Sequence, residues 1–117
     1  MPDLESPLSG HFYCSPEVKE GTRGWREVVA LGDAIYEWGL ISVYWSPQNR
    51  RYFWHADTGC SCNGWGENLT SMADFNDGDR NAVRSALRGF AQEHPYYASE
   101  SQLAEALNTL ANFKEDQ

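Results

Sequence analysis

Residues 25–57 of this chain alternate in side-chain character with a period of two, which is the pattern of β-strands. A first strand ends at the turn pair Gly32-Asp33, and a second occupies residues 34–45. The run Ser46-Pro47-Gln48-Asn49 predicts the next turn, because proline presets φ and asparagine tolerates the left-handed region. A return strand follows, so we predict a three-stranded antiparallel β-meander over about residues 25–57.

The second strand is apolar on both of its faces. One face carries Ala34, Tyr36, Trp38 and Leu40, and the other carries Ile41, Val43 and Trp45. The apolar face changes at Gly39, where we expect a bulge or a bend. On the return strand Arg51, Phe53 and His55 alternate with Tyr52, Trp54 and Ala56. Each face of this sheet therefore needs a cover, or is left open for a partner.

The last third of the chain changes to helical spacing. Apolar residues recur every three or four positions, first at Val83, Ala86, Leu87, Phe90 and Ala91 and then at Leu103, Ala106, Leu107, Leu110 and Ala111. We expect Asp77 to cap the first helix, with Asp79 in its first turn, and Pro95 to end it. Ser99 and Gln102 form a capping-box pattern for the second helix. The predicted fold is α+β, with the meander packed against two C-terminal helices.

The domain boundaries follow from where these patterns begin and end. Residues 1–10 hold two prolines and no periodicity, so we expect a flexible tail. Residues 11–113 are predicted to form a single α+β domain, and residues 114–117 a polar end. Residues 57–70 are rich in glycine, asparagine and aspartate, which predicts an irregular loop of the kind that often carries function.

Composition narrows the classes of partner. The 117 residues are enough for one domain, and the formal net charge of −8 disfavours binding to nucleic acid or to anionic lipid. That charge permits a basic partner protein, or mimicry of a nucleic-acid backbone. No apolar stretch approaches the roughly 20 residues of a membrane span, and the first ten residues lack the pattern of a signal peptide. Three cysteines without a secretion signal predict reduced thiols in a cytoplasm.

Aromatic residues make up 14% of the chain and crowd into the meander and the loop that follows it. Large exposed rings are typical anchors of protein interfaces. We therefore predict partner-binding residues at Trp38, Tyr44, Trp54 and Trp65. The alternative is that both sheet faces are covered, by the N-terminal tail and by the 57–70 loop.

Thiols and imidazoles offer a second kind of chemistry. Cys60 and Cys62, with His55 at the strand end, are candidate ligands for zinc, which would act as a structural staple; no other cofactor is expected. Cys60 or Cys62 could instead be a nucleophile with His55 or His94 as its base, although no Cys-His enzyme signature is visible. A third interpretation is that the thiols simply pack as small apolar side chains.

Three arginines, Arg80, Arg84 and Arg88, lie at a spacing of four on the first predicted helix. That spacing places them on one face, opposite the apolar stripe. We interpret this face as solvated and paired with nearby carboxylates rather than as a phosphate site.

Residues 45–62, which end in Gly59-Cys60-Ser61-Cys62, and the run Leu69-Thr70-Ser71-Met72-Ala73-Asp74-Phe75 carry a family resemblance. Together they resemble a family of small uncharacterised proteins of tailed phages that infect actinobacteria. In that family two strands lead into a Gly-Cys-Ser-Cys motif and then into a helix start. The resemblance covers about residues 25–75. It implies phage origin and no particular activity.

The leading hypothesis is a small phage accessory protein that binds a host or defence protein in the host cytoplasm. Its contact surface would be the aromatic sheet face and the 57–70 loop. The alternatives are a zinc-stapled interaction domain, a cysteine-dependent enzyme and an acidic mimic of nucleic acid. An enzyme is the less favoured class, because no catalytic set is visible in the sequence.

Overall fold

A computed structural model of the protein describes residues 5–11, 13–33, 37–60 and 62–116. Its strands form one antiparallel sheet in the order β1-β2-β3-β4, and its two long helices follow the last strand. The elements are α1 (Pro16–Gly21), β1 (Arg26–Asp33), β2 (Trp38–Ser46), β3 (Arg51–Gly59), a 3-10 turn (Met72–Asp74), β4 (Asn76–Gly78), α2 (Arg80–Glu93) and α3 (Glu100–Ala111). The α+β class, the meander and both C-terminal helices are confirmed, whereas the sheet formed by the described residues has four strands rather than three.

Local capping chemistry sets the ends of the two long helices. The Asp79 carboxylate accepts a hydrogen bond from the Ala82 N–H at 2.9 Å, so Asp79 is the N-cap of α2. The expectation that Asp77 caps this helix is wrong, because Asp77 lies in β4 and accepts a hydrogen bond from Arg51 at 2.7 Å. The capping box predicted for α3 at Ser99 is confirmed.

The register of β2 is continuous across Gly39, which pairs with Asp33 on one side and Thr58 on the other. The expected bulge is therefore not at Gly39; the irregularity of the sheet lies between Glu27 and Val29 on β1. A side chain at Gly39 is instead excluded by Tyr97, because a Cβ there would come within 2.9 Å of the Tyr97 ring. Residues 34–36, the start of the predicted second strand, lie outside the described residues.

Both faces of the sheet are covered. The helix-side core joins sheet residues to α2 and α3 and consists of Val28, Leu31, Ile41, Val43, Trp45, Tyr52, Trp54, Val83, Leu87, Phe90, Ala98, Ala106 and Leu110. The loop-side core joins the opposite face to the N-terminal segment and the 57–75 region and consists of Leu8, Cys14, Val18, Trp25, Trp38, Tyr44, Trp65, Leu69 and Phe75. The alternating pattern of β2 thus reflects two separate hydrophobic cores.

The N-terminal segment is part of the domain rather than a loose extension. Leu8 is fully buried, and the Ser6 hydroxyl forms a hydrogen bond with the hydroxyl of Thr22. The short helix α1 begins where the Ser15 hydroxyl accepts a hydrogen bond from the Val18 N–H at 3.3 Å. Within the expected tail of residues 1–10, the described part from residue 5 onward therefore packs against the sheet.

The C-terminal end is held by Arg80 at the start of α2. Its guanidinium lies 2.9 Å from a carboxylate oxygen of Glu115 and donates to the hydroxyl of Tyr52 at 3.1 Å. It also donates to the backbone carbonyls of Ala111 and Phe113, at 3.1 and 2.9 Å. The interpretation of Arg80 as part of a solvated face is corrected, because its side chain fastens the end of the chain to the sheet.

Candidate functional site

The 57–70 loop was predicted to be irregular throughout, but its first three residues belong to β3 and pair with β2. The rest of the loop is tied to the sheet by two indoles from the loop-side core. The Nε1–H of Trp38 donates to the backbone carbonyls of Cys60 and Asn63, both at 3.1 Å. The Nε1–H of Trp65 donates to the backbone carbonyl of His55 at 3.3 Å. Each tryptophan thus fills a core with its rings and fixes loop backbone with its polar atom.

Cys60 is held from both sides of its own backbone. Its N–H donates to the Asn63 Oδ1 at 3.0 Å, and its carbonyl accepts from the Asn63 N–H at 3.1 Å. The preceding Gly59 leaves room for this arrangement, because a Cβ there would lie 2.6 Å from Cζ2 of Trp38. An asparagine three residues after Cys60 is a turn signal that the sequence does carry, although it does not reveal the indole beneath the turn.

The two loop thiols are adjacent and exposed. The Sγ atoms of Cys60 and Cys62 lie 2.7 Å apart. Hydrogen bonds from the Cys62 thiol and from the Cys62 N–H lower the pKa of Cys60. The same hydrogen bond and the developing charge on Cys60 raise the pKa of Cys62. Cys14 contrasts with this pair, since it is buried and burial raises the pKa of its thiol.

The four predicted partner-binding aromatics all lie in the two cores. Trp38 is 4% exposed, Tyr44 3%, Trp54 9% and Trp65 7%. They cannot touch a partner directly unless the segments that cover them move. We therefore expect these rings to support the surface from within the cores rather than to contact a partner. This is the covered arrangement that the sequence left open as the alternative. Direct binding through these rings stays a prediction.

Large apolar side chains that do reach solvent are few in the described part of the chain. Tyr13 is 45% exposed and Tyr96 is 81% exposed. The Tyr13 ring lies against the loop backbone, because a Cβ on Gly64 would come within 2.7 Å of its Cδ2. Tyr13 therefore borders the loop, and its place there depends on the fold of the N-terminal segment.

His55 does not join the two loop thiols as a ligand set. Its side chain is 12% exposed, its Nε2 has no hydrogen-bond partner and lies 3.8 Å from the Asp57 carboxylate. Burial lowers the pKa of His55, and the nearby Asp57 and Asp74 oppose that shift. Among the described residues no three His, Cys, Asp or Glu side chains converge on a metal position. Two thiolates alone do not fit a structural zinc ion, which takes four ligands.

The histidines also do not form a catalytic pair with the thiols. His94 follows the end of α2, where its ring contacts those of Phe90 and Tyr97. In the part of the chain that the structure describes, no hydrogen bond connects His55 or His94 to Cys60 or Cys62.

The rim of the loop is acidic. The exposed carboxylates of Glu37 and Glu67 act electrostatically on the thiols: Glu37 partly opposes the lowering of the Cys60 pKa, and Glu67 adds to the raising of the Cys62 pKa. Asp57 and Asn68 are joined by a hydrogen bond between their side chains. These carboxylates would attract an approaching basic surface.

No helix within the described ranges is both long and apolar enough to cross a membrane. The chain matches no curated protein and no solved structure. A family profile does match residues 23–117, which include the meander, the 57–70 loop and both long helices. The expectation of an uncharacterised family is thereby confirmed, and the match extends beyond the region of the sequence resemblance. The chain belongs to the family described as domain of unknown function DUF7574.

Proposed function

We propose that this protein is a small binding factor whose contact surface is the 57–70 loop, bordered by Tyr13. The phage origin implied by the sequence resemblance would make the partner a host or defence protein in the host cytoplasm. The aromatic sheet face contributes from beneath, because Trp38 on β2 and the His55 carbonyl on β3 hold the loop in position through the hydrogen bonds of Trp38 and Trp65. The observation that carries this proposal is a loop whose backbone is fixed at Cys60 and Asn63 while four of its side chains face solvent, namely Cys60, Cys62, Glu67 and Asn68.

A fixed loop is suited to binding because ordering costs weaken association. Immobilising a flexible loop on binding costs conformational entropy, and that cost is already met here during folding. The hydrogen bonds from Trp38 to Cys60 and Asn63 supply this order. Cys60, Cys62, Glu67 and Asn68 remain exposed above it. The surface offers polar atoms and two sulfurs, with Tyr13 as an aromatic contact at its border.

Charge indicates the kind of partner surface. The chain carries a net charge of −8, and the carboxylates of Glu37 and Glu67 act electrostatically on the thiols. Complementary charge speeds encounter and rejects like-charged surfaces. A partner with a basic patch fits this rim, and binding should weaken as salt concentration rises.

Site-specific photo-crosslinking tests the proposal. A photoreactive amino acid replaces Glu67 in the loop or, as the matched control, Glu105 on α3, since both side chains are exposed and α3 packs on the opposite face of the sheet. In host lysate we expect a discrete adduct from position 67 that excess unmodified protein prevents, and no such adduct from position 105. Equal adducts from both positions, or none from position 67, would refute the loop as the contact surface.

Charge reversal provides a second measurement once the adduct is identified. Glu67→Lys should weaken binding of the purified partner, whereas Glu105→Lys, which changes the net charge equally, should leave it unchanged. Equal loss from both variants would show that overall charge, and not the loop, governs binding.

A further inference from the structure

The two loop sulfurs point to an activity beyond partner binding. We propose that Cys60 and Cys62 form a redox-active dithiol that exchanges with disulfides and cycles through an intraloop Cys60–Cys62 disulfide. The substrate class is an accessible disulfide, on a small thiol compound or on a protein surface. This activity needs no bound partner and can be measured on the isolated chain.

The geometry of the loop brings the two sulfurs together before any reaction. Their Sγ atoms lie 2.7 Å apart, and both side chains face solvent. The backbone of Cys60 is fixed by Asn63 and by the indole of Trp38, so the fold maintains this approach. Held groups of this kind react with each other far more readily than separate thiols do. An incoming disulfide can reach the pair from solvent.

Disulfide exchange needs one attacking and one resolving sulfur, and the two cysteines differ in how the fold holds them. The backbone of Cys60 is fixed by Asn63 and by the indole of Trp38, so Cys60 is assigned as the attacking sulfur and Cys62 as the resolving one. The hydrogen bond between the two thiols acts in the same sense, because it lowers the pKa of Cys60 and raises the pKa of Cys62.

The electrons balance in two steps. The Cys60 thiolate attacks one sulfur of a substrate disulfide; that S–S bond breaks, a mixed disulfide forms on Cys60, and the released thiolate takes a proton from water. Cys62 then loses its proton to solvent and attacks the Cys60 sulfur, which expels the second substrate thiolate. The protein is oxidised by two electrons and the substrate disulfide is reduced to two thiols.

The product disulfide would close a very small loop. Exposed or strained disulfides are more easily reduced than structural ones, and they are the labile, regulatory or catalytic kind. The Cys60–Cys62 bond should therefore reopen with excess small thiol. Cys14 does not take part, because it is buried among Val18, Trp65 and Leu69 in the loop-side core.

Oxidised glutathione is the probe, and intact-mass analysis of the purified full chain is the readout. The wild-type protein should lose two hydrogens, a change of about 2 Da, without keeping glutathione. Cys62→Ser should stop with one glutathione attached to Cys60, since no resolving thiol remains. Cys60→Ser should react at least about tenfold more slowly than Cys62→Ser. Cys14→Ala is the control and should behave as the wild type.

Three outcomes would overturn the proposal. One is a wild-type protein that retains glutathione and does not lose the two hydrogens. Another is equal reaction rates in Cys60→Ser and Cys62→Ser, with circular dichroism showing that both are folded. The third is a pair of thiols that stays unreactive because the purified chain carries one equivalent of zinc. None of these results bears on crosslinking from position 67, so this proposal and the binding proposal fail separately.

Discussion

Removing the indole N–H of Trp38 should loosen the 57–70 loop from the sheet. Trp38→Phe keeps an aromatic ring in the loop-side core and deletes the indole N–H that donates to the carbonyls of both Cys60 and Asn63. The Cys60 carbonyl still accepts a hydrogen bond from the Asn63 N–H, whereas the Asn63 carbonyl loses the indole as its donor. We expect a lower free energy of unfolding and slower closure of the Cys60–Cys62 disulfide, since the loop no longer holds the two sulfurs together.

The matched control is the same substitution at Trp45. Both indoles are buried, at 4% exposure for Trp38 and 3% for Trp45, so the loss of ring volume is similar. The Trp45 Nε1–H has no hydrogen-bond partner. The Trp45 ring packs against the Tyr52 ring, with 4.8 Å between their centroids. Losing the hydrogen bond of Trp38 should cost about 1–3 kcal/mol, whereas removing an unpaired buried donor should relieve a similar amount. Trp38→Phe should therefore be less stable than Trp45→Phe by at least about 2 kcal/mol.

Urea denaturation followed by far-ultraviolet circular dichroism gives both free energies of unfolding. Trp65→Phe provides an intermediate case, because its indole donates only one hydrogen bond, at 3.3 Å. The expected order of destabilisation is Trp38, then Trp65, then Trp45. If Trp45→Phe costs as much as Trp38→Phe, the indole hydrogen bonds do not hold the loop, and packing alone explains its position.

Three further predictions concern other parts of the domain. Gly59→Ala should lower the free energy of unfolding by about 1–3 kcal/mol, because the new Cβ would meet an indole ring. Gly89→Ala in α2 should raise it by up to about 1 kcal/mol, because its Cβ meets nothing within 4 Å. Urea midpoints that move in the same direction would contradict this. Arg80→Met should release the C-terminal end, seen as faster amide hydrogen exchange around Glu115, and unchanged exchange would contradict the clamp. Because burial lowers the pKa of His55 from 6.5, the unfolded state binds its proton first, so stability should fall as pH drops below about 6.5. His55→Gln should reduce that slope, and an unchanged slope would refute the assignment.

The strands and helices were predictable where a long pattern specifies them. Alternation from Trp38 to Trp45 correctly separates two faces, and the capping box at Ser99 correctly starts α3. The strand β4 escaped prediction because Asn76–Gly78 is three residues long and contains no apolar side chain. Helix α1 escaped it because six residues are too few to show a period of 3.6.

The sequence predicts where along the chain the candidate site lies, but not which tertiary contacts hold it. Turn residues around Cys60 and Cys62 mark an irregular loop, and the local spacing brings two thiols near each other. The sequence does not say that Trp38, 22 residues before Cys60, fixes the turn from beneath. It also does not separate an exposed aromatic from a buried one, because Trp and Tyr are common in both settings. The predicted contact residues were therefore core residues with a supporting role.

By itself, the sequence determined which residues of the meander share a face and where the two long helices run, since both follow from the fixed geometry of a strand and a helix. The tertiary structure decided what covers each face. Leu8 and Trp65 are far apart along the chain, and their meeting in one core depends on the sum of many long-range contacts against the entropy of loop closure. These contacts bury the aromatic residues of the second sheet face in a core, and they leave Cys60 and Cys62 exposed to solvent.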